Sequence, residues 1–371
     1  MRKVLMIATV PSMIGQFNME NISILLKLGY EVHVACNWTD NSVWTNEKNV
    51  ALIKKLKEQN ISIIQIDFSR SLLKFGKHYK CYNNLLSVIS SNKYEFVHCH
   101  TPIASAIARV VCKKTNTKCI YTAHGFHFYK GAPIINWLIF YPLEKKLSTY
   151  TDVLITINKE DYNRAKRKFN MKQLEYVPGV GIDTKKFALK NFDKLEYRQR
   201  LGLKEDDFAI LSVGELNKNK NHEIVIKSIA KLKNNRIHYY IAGRGKLKNR
   251  LTELSRKEEI ESQVHFLNYR NDIAELDKSV NLYVLPSIRE GLNVSLIEAI
   301  SSGTICIASN IRGNQDLLED NYLFNPRSTS DCVLCIKKAI NKELENNINV
   351  EKYDKKNISK KMTLIYMFLS N

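Results

Sequence analysis

Glu290 and Glu298 stand with seven residues between them in Leu285-Pro286-Ser287-Ile288-Arg289-Glu290-Gly291-Leu292-Asn293-Val294-Ser295-Leu296-Ile297-Glu298-Ala299, the stretch of this chain with the most chemistry in it. A strand-like run ends at Pro286, a loop presents Glu290, and a helix begins near Asn293. The first N–H groups of a helix have no intrahelical acceptor and sit at the positive end of the aligned peptide dipoles, so this helix start suits a diphosphate. Glu298, about one turn into the helix, can accept hydrogen bonds from vicinal hydroxyls such as a ribose offers. Glu290, ahead of the helix, would point at whatever the diphosphate carries. The same pattern also fits a plain helix start with ordinary acidic residues, and the spacing alone does not separate the two readings.

Other groups of reactive residue types carry less. His98 and His100 fall on one face of a strand end, as a metal pair would, yet no acidic or Cys/His partner near them completes a ligand set. Cys332 and Cys335 form a CxxC without a second pair at zinc-site spacing. A separation of three puts both on the inner face of an amphipathic helix, where core packing is expected. The eight cysteines are scattered, several within apolar runs, which fits a reducing cytoplasm better than a secreted disulfide framework.

The elements that must position these residues alternate strand and helix, twice over. Residues 3–9, 30–36, 61–66, 96–100, 118–124 and 153–157 read as strands, with helices at 16–28, 50–59, 74–90 and 104–113 between them. A Pro/Gly-rich break follows at Val177-Pro178-Gly179-Val180-Gly181-Ile182-Asp183. The alternation then restarts, with strands at 209–213, 237–243, 264–267, 281–286 and 304–309 and helices at 221–233, 247–257, 273–278 and 294–302. Apolar strands alternating with helices predict parallel sheets covered on both faces, hence two Rossmann-like domains. The expected spans are 1–180 and 181–355, with an amphipathic helix at 356–371 returning to the first domain. In open sheets ligands bind outside the carboxyl ends of the strands, so two such domains facing each other are expected to form one cleft.

Composition sets the surroundings. With 44% hydrophobic residues a normal core can form, and the disordered class is excluded. A formal charge of +20 attracts polyanions, whether nucleic acid, an anionic bilayer surface or phosphorylated substrates. Met1-Arg2-Lys3 and the apolar run after it imitate a signal peptide, but the run is short and no cleavage site follows, so a first buried strand is expected. No apolar run is long enough to span a bilayer. The segment Pro133-Ile134-Ile135-Asn136-Trp137-Leu138-Ile139-Phe140-Tyr141-Pro142-Leu143, beside Lys145 and Lys146, suits either interfacial docking on anionic lipid or burial against the C-terminal helix.

Together these motifs resemble glycosyltransferase family 4, the large retaining GT-B family, in its capsule and exopolysaccharide branch. Glu290 and Glu298 match its E-x7-E pair, and Gly303-Thr304-Ile305-Cys306 stands where Gly-x-Pro-Val is usual. Val213-Gly214-Glu215-Leu216-Asn217-Lys218-Asn219-Lys220 resembles the Gly-Arg-Leu…Lys loop. Ile241-Ala242-Gly243-Arg244-Gly245 resembles the Gly-x-Gly turn, and Tyr121-Thr122-Ala123-His124-Gly125-Phe126-His127 the first-domain histidine loop. The segment from Val177 to Phe187 resembles the interdomain stretch.

The resemblance implies an α/β GT-B fold and a retaining transferase that moves a sugar from a nucleotide-diphosphate sugar, expected to be a UDP-sugar, to a lipid-linked or saccharide acceptor in bacterial surface-polysaccharide synthesis. Glu290 would hold the transferred sugar and Glu298 the ribose. The amides of Val294 and Ser295 would bind the diphosphate, with Lys220 neutralising it, and Gly214 and Asn293 complete the donor set. Gly15, between first strand and first helix, would let backbone approach the β-phosphate, and His124 would sit near the reacting sugar. His127 would be structural or line the acceptor side. Glu215 stands where the family usually has Arg, so Lys218 or Arg244 is expected to substitute. No Asp-x-Asp occurs, the motif by which transferases of the other major fold hold a metal-bound diphosphate, so neither metal nor other cofactor is expected. The resemblance implies a cytoplasmic protein, peripheral on the inner face of the membrane. A nucleotide-sugar epimerase of similar architecture is the rival enzyme. A nucleic-acid-binding protein rests on charge alone, without a recognition module, so no nucleic-acid partner is expected.

Overall fold

Two open parallel sheets organise the chain in a computed structural model that describes residues 2–189 and 192–370. Met1, Lys190, Asn191 and Asn371, which fall within the expected domain spans, lie outside the described residues. By packing, the chain divides into Met1–Val180 with Lys356–Asn371, and Gly181–Lys355.

The first unit runs β1 (Lys3–Ile7), α1 (Pro11–Phe17), α2 (Met19–Lys27), β2 (Glu31–Cys36), α3 (Asn46–Glu58), β3 (Ser62–Gln65), α4 (Phe75–Asn92), β4 (Phe96–His100), α5 (Pro102–Thr115), β5 (Lys118–Ala123), α6 (Ile134–Ser148), β6 (Val153–Thr156), α7 (Lys159–Lys168) and β7 (Gln173–Tyr176). The strand order is β3-β2-β1-β4-β5-β6-β7, all parallel. Side chains alternate across a strand, so Val4 and Met6 enter one core while Leu5 and Ile7 enter the other.

The second unit runs α8 (Thr184–Phe187), α9 (Lys194–Arg200), β8 (Phe208–Val213), α10 (His222–Leu232), β9 (Ile237–Ala242), α11 (Lys248–Lys257), β10 (Val264–Asn268), α12 (Ile273–Ser279), β11 (Leu282–Leu285), α13 (Val294–Ser301), β12 (Ile305–Ser309), β13 (Leu323–Phe324) and α14 (Thr329–Ile340). Its strand order is β10-β9-β8-β11-β12-β13, again parallel. Cys332 and Cys335 are both buried in the core under α14.

The last helix, α15 (Lys355–Ser370), places Ile358, Met362, Ile365, Tyr366 and Leu369 in the core on the Val4 and Met6 side of the first sheet. The intervals of three and four between them line up one helical face. Tyr366 stacks on Phe96 of β4, with ring centroids 5.7 Å apart.

Four local expectations change. The first helix starts at Pro11 and not at residue 16, because the fixed φ of proline suits the first helical turn. Gly15 therefore lies inside α1 and not between strand and helix, and a Cβ there would stand 2.3 Å from the Trp44 ring. Its lack of a side chain leaves room for that ring. Two short edge strands were not anticipated: β7, whose Gln-Leu-Glu-Tyr is only half-buried, and β13, two residues long. Finally, α6 does not reach α15. Its Trp137, Phe140 and Tyr141 pack into the core on the Leu5 and Ile7 side of the sheet, opposite the core that holds α15.

Candidate active site

Both sheets reverse their winding at one place, between β1 and β4 and between β8 and β11, and ligands of open α/β sheets bind at such switch points. In the second unit Gly214, Lys218 and Lys220 follow β8, and Glu290, Asn293, Val294, Ser295 and Glu298 follow β11, whereas Arg244 follows β9 and His124, in the first unit, follows β5.

In the second unit, the loop after β8 and the loop after β11 are tied together. The Ile288 amide donates to the Asn219 carbonyl at 2.7 Å, and Asn219 Nδ2 donates to the Arg289 carbonyl at 3.0 Å. This brings Lys220 Nζ to 2.7 Å from Glu290 Oε1, both side chains largely shielded from solvent. A Cβ at Gly214 would come within 3.1 Å of Lys220 Cε, so glycine keeps the lysine stem in its track. The Lys220 amide donates to Asn217 Oδ1, and Asn217 Nδ2 donates to Glu215 Oε2, each at 3.0 Å. Glu215 is thus held by its own loop, exposed and away from the role of a phosphate cation. Lys218 and Arg244 are exposed, and among the described residues neither forms an ion pair.

Asn293 is the N-cap of α13. Its Oδ1 accepts the Leu296 amide at 3.3 Å and the Ser295 hydroxyl at 2.6 Å, while Ser295 Oγ lies 2.6 Å from Tyr283 OH. A side-chain cap of this kind commonly contributes about 1 kcal/mol to a helix. The cap takes the third amide, so Val294 and Ser295, the first two residues of the helix, supply the amides that have no intrahelical acceptor. Asn293, expected among the donor contacts, holds the helix end through its Oδ1. Arg312 Nε donates to the Glu290 carbonyl at 3.2 Å and steadies the loop, a contact that nothing in the local sequence signals.

Glu298 is half-buried, and burial lifts its pKa to about 7, with Lys186 on α8 pulling the other way. Asp277 on α12 lies in the interior with both carboxylate oxygens unbonded among the described residues. Burial first, and the Glu298 charge second, push its carboxyl well above the usual range. An isolated buried carboxylate is very costly, which favours the neutral form of Asp277.

In the first unit, His124 follows β5 and meets β4 through histidines. His100 Nδ1 lies 3.1 Å from His124 Nε2, and the His98 ring sits 4.2 Å from that of His100. His98 Nδ1 is 2.9 Å from Tyr366 OH and its Nε2 2.8 Å from Thr122 Oγ1. His98 and His100 thus bond to side chains where a metal pair was considered. Burial depresses His124 to about 4 and His98 to about 3, and His100 is lowered by burial and then by the other two rings. All three are neutral at physiological pH. His100, Thr122 and His124 line a cavity of about 30 Å³ together with Phe17, Asn18 and Glu20. His127 stacks on Phe140 with centroids 4.6 Å apart, a packing role.

Residues 20–186 match the family described as Glycosyltransferase Family 4, and residues 193–358 match Glycosyl transferases group 1. EpsD of Bacillus subtilis (strain 168) is 34% identical over 328 residues, 86% of this chain and 81% of that protein. The chain belongs to glycosyltransferase family 4.

A second relative of this glycosyltransferase, the UDP-Gal:alpha-D-GlcNAc-diphosphoundecaprenol alpha-1,3-galactosyltransferase of Escherichia coli, is 30% identical over 66% of this chain and 65% of its own. In fold, this chain resembles Anabaena HepE in complex with UDP and glucose, with a TM-score of 0.75 at 16% identity, covering 100% of both chains. That likeness places the glycosyltransferase among GT-B structures, and its two parallel sheets agree. Among the described residues no helix is long and apolar enough to cross a membrane.

Proposed function

We propose that this glycosyltransferase transfers a sugar from a UDP-sugar to a lipid-linked or saccharide acceptor in surface-polysaccharide assembly, with retained anomeric configuration and without a metal. The observation that carries this reading is the Lys220–Glu290 pair, 2.7 Å across, in the loop cluster that leads into the acceptor-free amides of α13. One loop cluster thus offers a cation and two amides to a diphosphate and a carboxylate to the sugar beyond it. Glu298 takes the ribose hydroxyls, Lys218 and Arg244 stand in for the cation that Glu215 replaces, and His124 faces the reacting sugar. The UDP in the HepE structure and the UDP-Gal and diphosphoundecaprenol in the name of the E. coli relative support the choice of donor and of a lipid-diphosphate acceptor.

Retention follows if the departing diphosphate itself takes the acceptor's proton while the hydroxyl attacks from the same face. Such a site must stabilise an oxocarbenium-like ion and a leaving diphosphate more than it must supply a base. A His124 depressed to about 4 is a weak base, in keeping with that demand. The donor assignment is checked by a thermal-shift panel of nucleotide sugars. A UDP-sugar at 100 times its Kd should stabilise the protein by about 2.7 kcal/mol. A panel in which no nucleotide sugar raises Tm would remove the donor reading.

The acceptor side works at the cytoplasmic face of an anionic membrane. On α6, Ile134 and Leu138 are 77% and 67% exposed, with Ile135, Ile139 and Leu143 beside them and Lys130, Lys145 and Lys146 close in sequence. A second segment interleaves exposed Leu72, Leu73, Phe75 and Tyr79 with Arg70, Lys74, Lys77 and Lys80 and contains no acidic residue. Apolar side chains entering the acyl boundary beside cations at the headgroups suit anionic lipid, as does the net charge of +20. The protein should cosediment with phosphatidylglycerol vesicles in a salt-sensitive way. Ile135→Asp with Leu138→Asp should weaken that by about tenfold or more, since burying a charge in the boundary is costly. Equal binding to neutral vesicles, or no effect of the double substitution, would remove α6 from the membrane contact.

A further inference from the structure

The hydrogen bond between His100 and His124 contains one hydrogen, and its owner decides what His124 can do. His100 is buried, its Nδ1 is 3.1 Å from His124 Nε2, and its own Nε2 is buried with no hydrogen-bond partner among the described residues. Both rings are neutral near pH 7, so each carries one N–H. If the shared hydrogen belonged to His124 Nε2, His100 would have to carry its own on Nε2, leaving a buried N–H without an acceptor. If it belongs to His100 Nδ1, only a lone pair at His100 Nε2 is left bare. Buried donors without acceptors are rarer and costlier than under-used acceptors, so the second arrangement prevails.

We infer that His100 is a positioning residue that fixes His124 as its Nδ1–H tautomer, so that His124 meets the substrate as a hydrogen-bond donor and has no free ring lone pair with which to act as a base. The lone pair on His124 Nε2 is occupied by His100, and Nδ1 carries the hydrogen. A neutral donor placed there suits an oxygen that gains electron density as the glycosidic bond breaks. It does not suit removal of the acceptor's proton. The inference deepens the proposed function, on whose placement of His124 beside the reacting sugar its catalytic meaning rests; the tautomer itself does not depend on that placement.

The test is long-range proton–nitrogen NMR correlation on the full chain with nitrogen-15-labelled histidine at pH 7. The expected result is a protonated Nδ1 and a bare Nε2 on His124, with Nδ1 also protonated on His100. A His124 protonated at Nε2 would overturn the inference outright, whatever the activity of any variant. His100→Asn, which keeps an amide donor near the place of Nδ1, should preserve the His124 tautomer and activity within about threefold. His100→Ala should mix the tautomers, lower kcat about tenfold with little change in KM, and bring a histidine-like limb into the pH profile. Equal kcat and equal pH profiles for the Asn and Ala variants would also overturn it. If instead the tautomer is as expected but His124→Ala is fully active, the tautomer stands and the placement of His124 in the site falls.

Discussion

Lys220→Ala is expected to cost about 2–4 kcal/mol of transition-state stabilisation, about 30- to 900-fold in kcat/KM. Donor affinity should fall with it, because in the proposed scheme the lysine would meet phosphate both before and during departure. In the structure Lys220 pairs with Glu290 at 2.7 Å, so the substitution also strips a shielded carboxylate of its cation. Kinetics separate the two consequences: loss of phosphate stabilisation weakens UDP itself, whereas a displaced Glu290 affects only sugar-bearing ligands. Activity in the wild type should survive EDTA, since a lysine and a helix start neutralise the diphosphate in this scheme. Near-normal kcat/KM in the variant, or a chelator-sensitive enzyme restored by manganese, would show that the charge is handled elsewhere.

Glu290→Gln should lower kcat by at least about tenfold while leaving UDP affinity nearly unchanged. The change is nearly isosteric and keeps one acceptor for sugar hydroxyls, but removes the negative charge near the developing cation. UDP carries no sugar for Glu290 to hold, and Lys220 stays on its Gly214 track, so the nucleotide should bind as before. Turnover is the quantity at risk. A glutamine variant with normal kcat would remove Glu290 from the site, and one that loses UDP affinity in step would make it a mere support for Lys220.

Much of this architecture is legible in the sequence because buried parallel strands are written as apolar runs. Val4-Leu5-Met6-Ile7 and Leu282-Tyr283-Val284-Leu285 have no other economical reading. The half-polar edge strand Gln173–Tyr176 carries no such mark, because an edge needs little apolar surface. Local chemistry was readable where it is local: the helix start at Val294 with Glu290 before it and Glu298 after. The Trp44 ring beside Gly15 has no mark in the sequence, because a glycine near a strand end looks alike whether a phosphate or a side chain approaches it. That the Asn293 oxygen caps the helix is not legible from the motif. The Lys220–Glu290 pair spans 70 positions and the His100–His124 pair 24, and no spacing rule reaches across a sheet to join them. Only the strand order, which sets β8 beside β11 and β4 beside β5, brings each pair together.

The central claim is transfer with retention, and proton NMR of the product's anomeric signal tests it most directly. With a UDP-sugar donor of known configuration and a lipid-linked or saccharide acceptor, the new glycosidic bond should keep the donor's configuration. The leaving diphosphate then serves as the base, Lys220 and the α13 amides hold it, and His124 donates through Nδ1. A product of opposite configuration would contradict the account: it would require a base behind the sugar and would promote His124 to that role.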